Sequence, residues 1–289
     1  MHNIIQMFPS CLLGFNQHKE HYHGSFRLLG CVAKVSRLGT PYRSIKVADI
    51  SGIQEVVCFD DMPNEETFKV NGIVMLALSY HSDVEWIVAK HPEQLIMSDV
   101  MLDPALFWKA LPVNWIIAED VVERFLKLLM SMQSGMLLAF ITKVFWQSDV
   151  LHAFLTAPAS FNDHHHYQGG VLEHSVETAE IAAALPLRSA YERDLLITAA
   201  LLHDIGQAMM LSQTIHHSSS EQRVDSVEKT LELCAPALRW LGGEDAATAN
   251  MLRRLWTSRH DEDRDEYHTD LASTLRLADQ MSLQLAKRA

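Results

Sequence analysis

Leu195-Leu196-Ile197-Thr198-Ala199-Ala200-Leu201-Leu202-His203-Asp204-Ile205-Gly206 is the stretch that decides the fold. From Leu195 to Leu202 it is apolar almost all round, with Thr198 as the only polar interruption, and this predicts a helix buried on every side. His203-Asp204 falls at the end of that helix, and Gly206 is expected as its C-terminal stop. A histidine and a carboxylate at the edge of a dry interior are costly unless each finds a partner.

Two other helices offer the partners. Downstream, Leu271, Leu275, Ala278, Ser282 and Leu285 form one stripe of the last helix, and Asp279 lies at its rim, one turn past Leu275. Upstream, His164-His165-His166-Tyr167-Gln168-Gly169-Gly170-Val171-Leu172-Glu173-His174 opens into a helix running to about Leu185, with His174 in its first turns. A divalent cation would serve His174, His203, Asp204 and Asp279 together. Imidazole nitrogen plus carboxylate oxygen is a borderline ligand set, suited to manganese, iron, nickel or zinc and wrong for a calcium cage. Four protein ligands without cysteine leave positions for water and a phosphate oxygen, an arrangement catalytic in kind.

Outward from these helices, the pattern changes near residue 100. Helical periodicity starts around Ala118, where Val121, Val122, Phe125, Leu128, Leu129 and Met132 recur on one face. Before residue 100, five short β-type runs (Phe26 to Val35, Tyr42 to Ala48, Gln54 to Phe59, Ile73 to Tyr80 and Val84 to Ala89) are separated by turn residues, which suggests a small barrel. The expected organisation is a β-barrel domain over 1–100, a Pro-flanked linker over 101–117 and a helical domain over 118–289, a multidomain fold.

Composition sets the remaining bounds. The 289 residues are 48% hydrophobic, and no uninterrupted apolar run approaches the roughly 18 residues that span a bilayer. The first residues, Met-His-Asn-Ile-Ile-Gln, lack the basic start of a secretory signal. Cys11, Cys31, Cys58 and Cys234 have no paired spacing. Together these predict a soluble protein of the reducing cytoplasm, with no membrane partner. The formal charge of −12 argues against a protein coated for nucleic acid. Yet between Ser25 and Ala48 stand Arg27, Lys34, Arg37, Arg43 and Lys46 and no acidic residue, a local positive stripe.

Three motifs in order, Gly169-Gly170-Val171-Leu172-Glu173-His174, Leu201-Leu202-His203-Asp204-Ile205-Gly206 and Leu277-Ala278-Asp279, resemble those of the HD superfamily of metal-dependent phosphohydrolases. With the preceding barrel, and with Asp49-Ile50-Ser51-Gly52 and Cys58-Phe59-Asp60 similar to an OB-fold strand-turn-strand, the chain resembles YhaM-type 3′→5′ exoribonucleases from about Gly24 to its end. The resemblance implies His174, His203, Asp204 and Asp279 as ligands of a divalent metal. Manganese is expected first, with iron, nickel, magnesium or zinc as alternatives. It implies His260 as a further ligand, with an exposed histidine beside the acidic loop Asp261 to Glu266 as the other reading, His203 and Asp204 as catalytic, and a nearby histidine, His166, as the proton donor to the departing oxygen. His165, Gln207 and Arg276 are the expected phosphate contacts. Gln207 stands where many HD hydrolases have lysine, so Arg259 or Arg276 is needed as a replacement cation. His216 and His217 lie in a Ser-rich stretch and read as a polar loop.

OB-folds bind single strands with a cationic groove and aromatic platforms. Arg27, Lys34, Arg37, Arg43 and Lys46 are the expected cations, with Tyr42 and Phe59 as platforms. The alternative is that Phe26, Phe59 and Trp86 fill the barrel. The leading expectation is a metal-dependent 3′→5′ exonuclease acting on single-stranded RNA, with DNA also open. A relaxase-like plasmid-transfer protein and a non-catalytic nucleic-acid-binding module are the alternatives. Single-stranded nucleic acid is the expected partner, and a homo-oligomer is left open.

Overall fold

The computed structural model describes residue 12 and residues 21–59, 68–81, 86–160, 165–213, 222–258 and 266–286. The chain divides into two compact units, Met1–Ile116 and Ile117–Ala289.

The first unit is a closed five-stranded barrel. Its strands are β1 (His21–Val35), β2 (Pro41–Ala48), β3 (Ile53–Cys58), β4 (Ile73–His81) and β5 (Trp86–Gln94). β1 is long enough to pair twice. Its first half runs against β4, from His21 opposite Ser79 to Arg27 opposite Ile73, and its second half against β2, from Arg27 opposite Ala48 to Val35 opposite Pro41. The register slips between Leu28 and Gly30, and such a bulge bends a strand between two partners. Parallel pairing of β3 with β5, Val57 opposite Val88, completes the order β1-β2-β3-β5-β4 and leaves no free edge, an OB-like arrangement. Phe26, Leu28, Val47, Val56, Leu76 and Ala89 fill the interior.

Two strands overrun their expected limits. β1 starts at His21 rather than Phe26, and β5 continues past Ala89 to Gln94. Both extensions carry polar residues (His21, His23, Lys90, Glu93) that hide the alternation, but their backbones are paired to β4.

Arg27 corrects the expected positive stripe. Its side chain is 1% exposed, lying between the rings of Phe107 and Trp115 at 5.3 and 5.5 Å, and it donates to the carbonyls of Asn71 (2.8 Å) and Ala110 (3.3 Å). Burial lowers its pKa to about 10, so it stays cationic at neutral pH. Both rings and the Ala110 carbonyl come from the stretch read as a linker. There α1 (Met97–Leu102), α2 (Pro104–Lys109) and a 3₁₀ turn at Val113–Trp115 bury Phe107, Trp108, Leu111 and Trp115. Asp103 starts α2 by accepting from the Ala105 amide at 3.1 Å, with Pro104 in the first turn.

The second unit is helical throughout its described residues: α3 (Glu119–Ser131), α4 (Gly135–Phe145), α5 (Ser148–Thr156), α6 (Gly170–Ala184), α7 (Ala190–Leu202), α8 (Ile205–Gln213), α9 (Gln222–Glu244), α10 (Ala246–Thr257) and α11 (Glu266–Ala286). α6 packs against both α7 and α11, and α8 against α9. Every residue from Leu195 to Leu202 is fully buried, as the apolar run demands. By length and composition Ala190–Ser212 would pass for a membrane span, but most of it is buried among the other helices.

Gly206 does not stop a helix. It is the second residue of α8, and its lack of a side chain serves close packing instead: a Cβ there would fall on the Ser226 carbonyl and the Thr230 amide of α9. The same contact fixes the turn before it, because the buried Thr230 hydroxyl accepts from the Gly206 amide (3.1 Å) and donates to the His203 carbonyl (3.3 Å). Gly206→Ala should therefore destabilise the helical unit by about 1–3 kcal/mol. Chemical denaturation checks this, and wild-type stability would show that α9 yields without cost.

Candidate metal centre

The α7–α8 turn delivers His203 and Asp204, the start of α6 delivers His174, and α11 delivers Asp279. Their functional atoms converge. His174 Nε2 lies 3.3 Å from His203 Nε2, 3.0 Å from Asp279 Oδ1 and 3.6 Å from Asp204 Oδ2. His203 Nε2 lies 3.2 Å from Asp204 Oδ2 and 3.6 Å from Asp279 Oδ1. Both imidazoles are buried, whereas each carboxylate keeps about 15% of its side chain exposed, so the cluster opens on its carboxylate side.

The donor chemistry shows what belongs between them. His203 Nδ1 lies 2.6 Å from the Ala200 carbonyl, which only accepts, so Nδ1 carries the proton and Nε2 presents a lone pair. That lone pair faces two carboxylate oxygens and a second imidazole nitrogen. Such acceptors repel one another unless a positive charge sits among them, and burial works against a proton doing so, since desolvation lowers the pKa of His174. A divalent cation fits this set. His174, His203 and Asp204 have ligand atoms within 4.8 Å of one another, and Asp279 adds the fourth.

A polar network backs the cluster. His174 Nδ1 is 3.0 Å from Ser282 Oγ of α11, and Ser282 donates to Glu177 of α6 at 2.8 Å. Burial works to raise the Glu177 pKa, but the neighbouring His165 imidazole and the hydrogen bond from Ser282 outweigh it and hold the carboxyl below its ordinary value. His165 Nε2 is 3.5 Å from Glu177, its Nδ1 meets the Tyr167 hydroxyl at 2.8 Å, and Tyr167 donates to Glu173 at 2.5 Å. Gly170 admits this loop, because a Cβ there would strike the His165 carbonyl.

The expected phosphate contacts fare differently. His165 is 5% exposed and its ring nitrogens face Tyr167 and Glu177, so it serves the wall of the site rather than a surface for phosphate. Gln207 Nε2 donates to the Ala159 carbonyl, and the Ala159 amide in turn donates to the His165 carbonyl at 2.9 Å. Its role is to brace that loop. Arg276 is exposed one turn before Asp279 and donates to the Ser258 carbonyl at 2.9 Å. His166 is exposed, edge-on to Tyr167 at 6.3 Å between ring centroids. His260, Arg259, His164, His216 and His217 lie outside the described residues.

On the barrel, Lys34, Arg37 and Lys46 are exposed, and Arg43 is half-buried with its guanidinium 4.0 Å from Cys31 Sγ. Tyr42 and Phe59 stand 5.8 Å apart, and Trp86 stacks near both, at 6.2 and 6.4 Å. Trp86 is 42% and Phe59 44% exposed, so neither fills the interior as the alternative reading required; Phe26 does. A groove of about 430 Å³ runs beside them, lined by Lys34, Tyr42, Glu55, Tyr80 and Trp86 among others. Glu55 accepts there from Ser44 and from Lys34 (3.2 Å), which depress its pKa. The sequence reading missed Trp86 and Tyr80 as surface residues, and it missed Glu177 and Ser282; the turn signal His81-Ser82-Asp83 between the first two was the available cue for them.

Residues 171–283 match the HD domain family. The match encloses all four converging residues. An HD domain is a metal-dependent phosphohydrolase domain that binds a divalent cation, in accord with the His-His-Asp cluster.

The buried His174 also sets a pH dependence. Its folded pKa is lowered, so below the unfolded value of about 6.5 the unfolded chain takes up a proton that the folded chain refuses. In chelator, stability is thus complete above that value and falls as pH drops toward the lowered folded pKa. Denaturation from pH 7.5 to 5 should show this decline, and His174→Gln should make it shallower; an identical decline in the variant would remove His174 as its cause.

Proposed function

We propose that this protein is a metal-dependent phosphodiesterase that shortens single-stranded nucleic acid, RNA foremost, from its 3′ end. The observation that carries the reading is the convergence of two imidazoles and two carboxylates, open on one side, within a matched HD domain. The aromatic groove on an OB-like barrel supports a single strand as substrate: Tyr42, Phe59 and Trp86 offer ring faces to bases, with Lys34, Arg37 and Lys46 exposed for the backbone.

His174, His203, Asp204 and Asp279 would hold the cation, for which manganese is the first expectation. Bound there, it would lower the pKa of a water and draw charge from a phosphoryl oxygen. The chain does the rest. The buried imidazoles keep bulk water from the inner wall, and the two carboxylates at the rim set the face from which substrate approaches. Exposed His166 is the candidate to protonate the departing oxygen.

End-labelled strands test the reading. With Mn²⁺, a 5′-labelled linear strand should give a ladder of shortening products, a 3′ block should stop it, and a closed single-stranded circle should survive. One discrete cut in circles at a fixed sequence would overturn the exonuclease in favour of a nicking enzyme, and no cleavage with any of the candidate metals would leave a binding module. Trp86→Ala should weaken oligonucleotide binding by about 1–3 kcal/mol, while turnover of a small chromogenic phosphodiester persists. Unchanged affinity would place strand binding elsewhere.

A further inference from the structure

The two buried histidines of the cluster are oriented by different means. His203 gives its Nδ1 proton to a backbone carbonyl three residues earlier, an acceptor that no substitution removes. At His174 Nδ1 the contact is the Ser282 hydroxyl, at 3.0 Å, and a hydroxyl donates or accepts. Left to itself, Ser282 would tolerate either His174 tautomer, and Asp279, 3.0 Å from Nε2, draws the proton to that nitrogen. If Ser282 donated to Nδ1, the His174 proton would sit on Nε2, the nitrogen that faces Asp279 and Asp204, and that nitrogen would be closed to a cation.

Glu177 acts against that pull. Its carboxylate Oε2 lies 2.8 Å from Ser282 Oγ, and an ionised carboxylate only accepts. Ser282 has one proton, and directing it to Glu177 leaves its lone pairs to take a proton from His174. The geometry points to Ser282 and Glu177 as positioning residues that fix His174 with its proton on Nδ1 and so keep Nε2 open toward Asp204 and Asp279. This rests on the proposed reading of the cluster as a metal centre and says which side chains prepare it.

The placement favours this role. Ser282 is fully buried and sits three residues after Asp279 on α11, so one helix face supplies a ligand and the orienting hydroxyl for another. Glu177 sits three residues after His174 on α6, and both ends of the relay therefore ride on the two helices that pack together. No long loop has to be ordered for the tautomer to be set.

The test reads the tautomer directly. In metal-free protein with ¹⁵N-labelled histidine, NMR should show His174 protonated on Nδ1. Ser282→Ala and Glu177→Ala should each raise the share protonated on Nε2 and weaken Zn²⁺ binding, a diamagnetic probe, by about 10–100-fold in calorimetry. Ser282→Thr, which keeps the hydroxyl, should restore both. Glu177 is only partly buried, so its removal leaves the core packed if Ser282→Ala fails to fold. Wild-type tautomer and Zn²⁺ affinity in Glu177→Ala, or no recovery in a folded Ser282→Thr, would overturn the assignment. A wild-type protein that binds no Zn²⁺ while showing the Nδ1 proton would sink the metal centre and leave the tautomer lock standing.

Discussion

Two imidazole nitrogens 3.3 Å apart, each held 3.0 to 3.6 Å from two carboxylates, are the constraint on which the helical unit turns. Buried acceptors that face one another cost several kcal/mol unless positive charge is placed among them. The fold brings them together from three places in the chain, and each approach has its own fastening. Thr230 clamps the turn at His203, the glycine at 206 lets α9 come close enough to do so, and α11 spaces Asp279 and Ser282 along one face against α6. Stability is spent at this point for a chemical purpose, as functional clusters commonly require.

The convergence of the four side chains was legible because it is written in two periods at once. The apolar run from Leu195 to Leu202 demands burial on all sides, and His203-Asp204 follows it directly at the edge of that interior. Asp279 was legible from its position beside the stripe of Leu271, Leu275 and Ala278, all buried in the structure. What periodicity cannot convey is where a small polar residue on that stripe aims its hydroxyl. Ser282 was read as one more buried position, and its contact with His174 depends on helix packing 108 residues away in sequence. Gly206 misled for a related reason: glycine marks a helix end or a close helix contact, and only the position of α9 tells which.

The barrel taught a different lesson. Strand number and approximate place followed from alternation and turns, but charge counted along a strand says nothing about the side on which it falls. Arg27 is the one member of the basic run that points inward, because it lies where β1 changes partner and where Phe107 and Trp115 close over the strand. Trp86 shows the converse. An aromatic in a strand is usually core, yet it opens β5 at a position facing Tyr42 and Phe59 across the outer surface. Aromatic rings gathered outside a barrel whose interior is already full form an exposed apolar patch, which the strand proposed above would cover.

The central claim is that the four converging side chains hold a metal ion. Crystals grown with Mn²⁺ and measured at the manganese absorption edge test it most directly. The account predicts a single strong anomalous peak bonded to His174 Nε2, His203 Nε2, Asp204 and Asp279. An ordered site with those four side chains in place and no anomalous density between them, under Mn²⁺ or Zn²⁺, would contradict it.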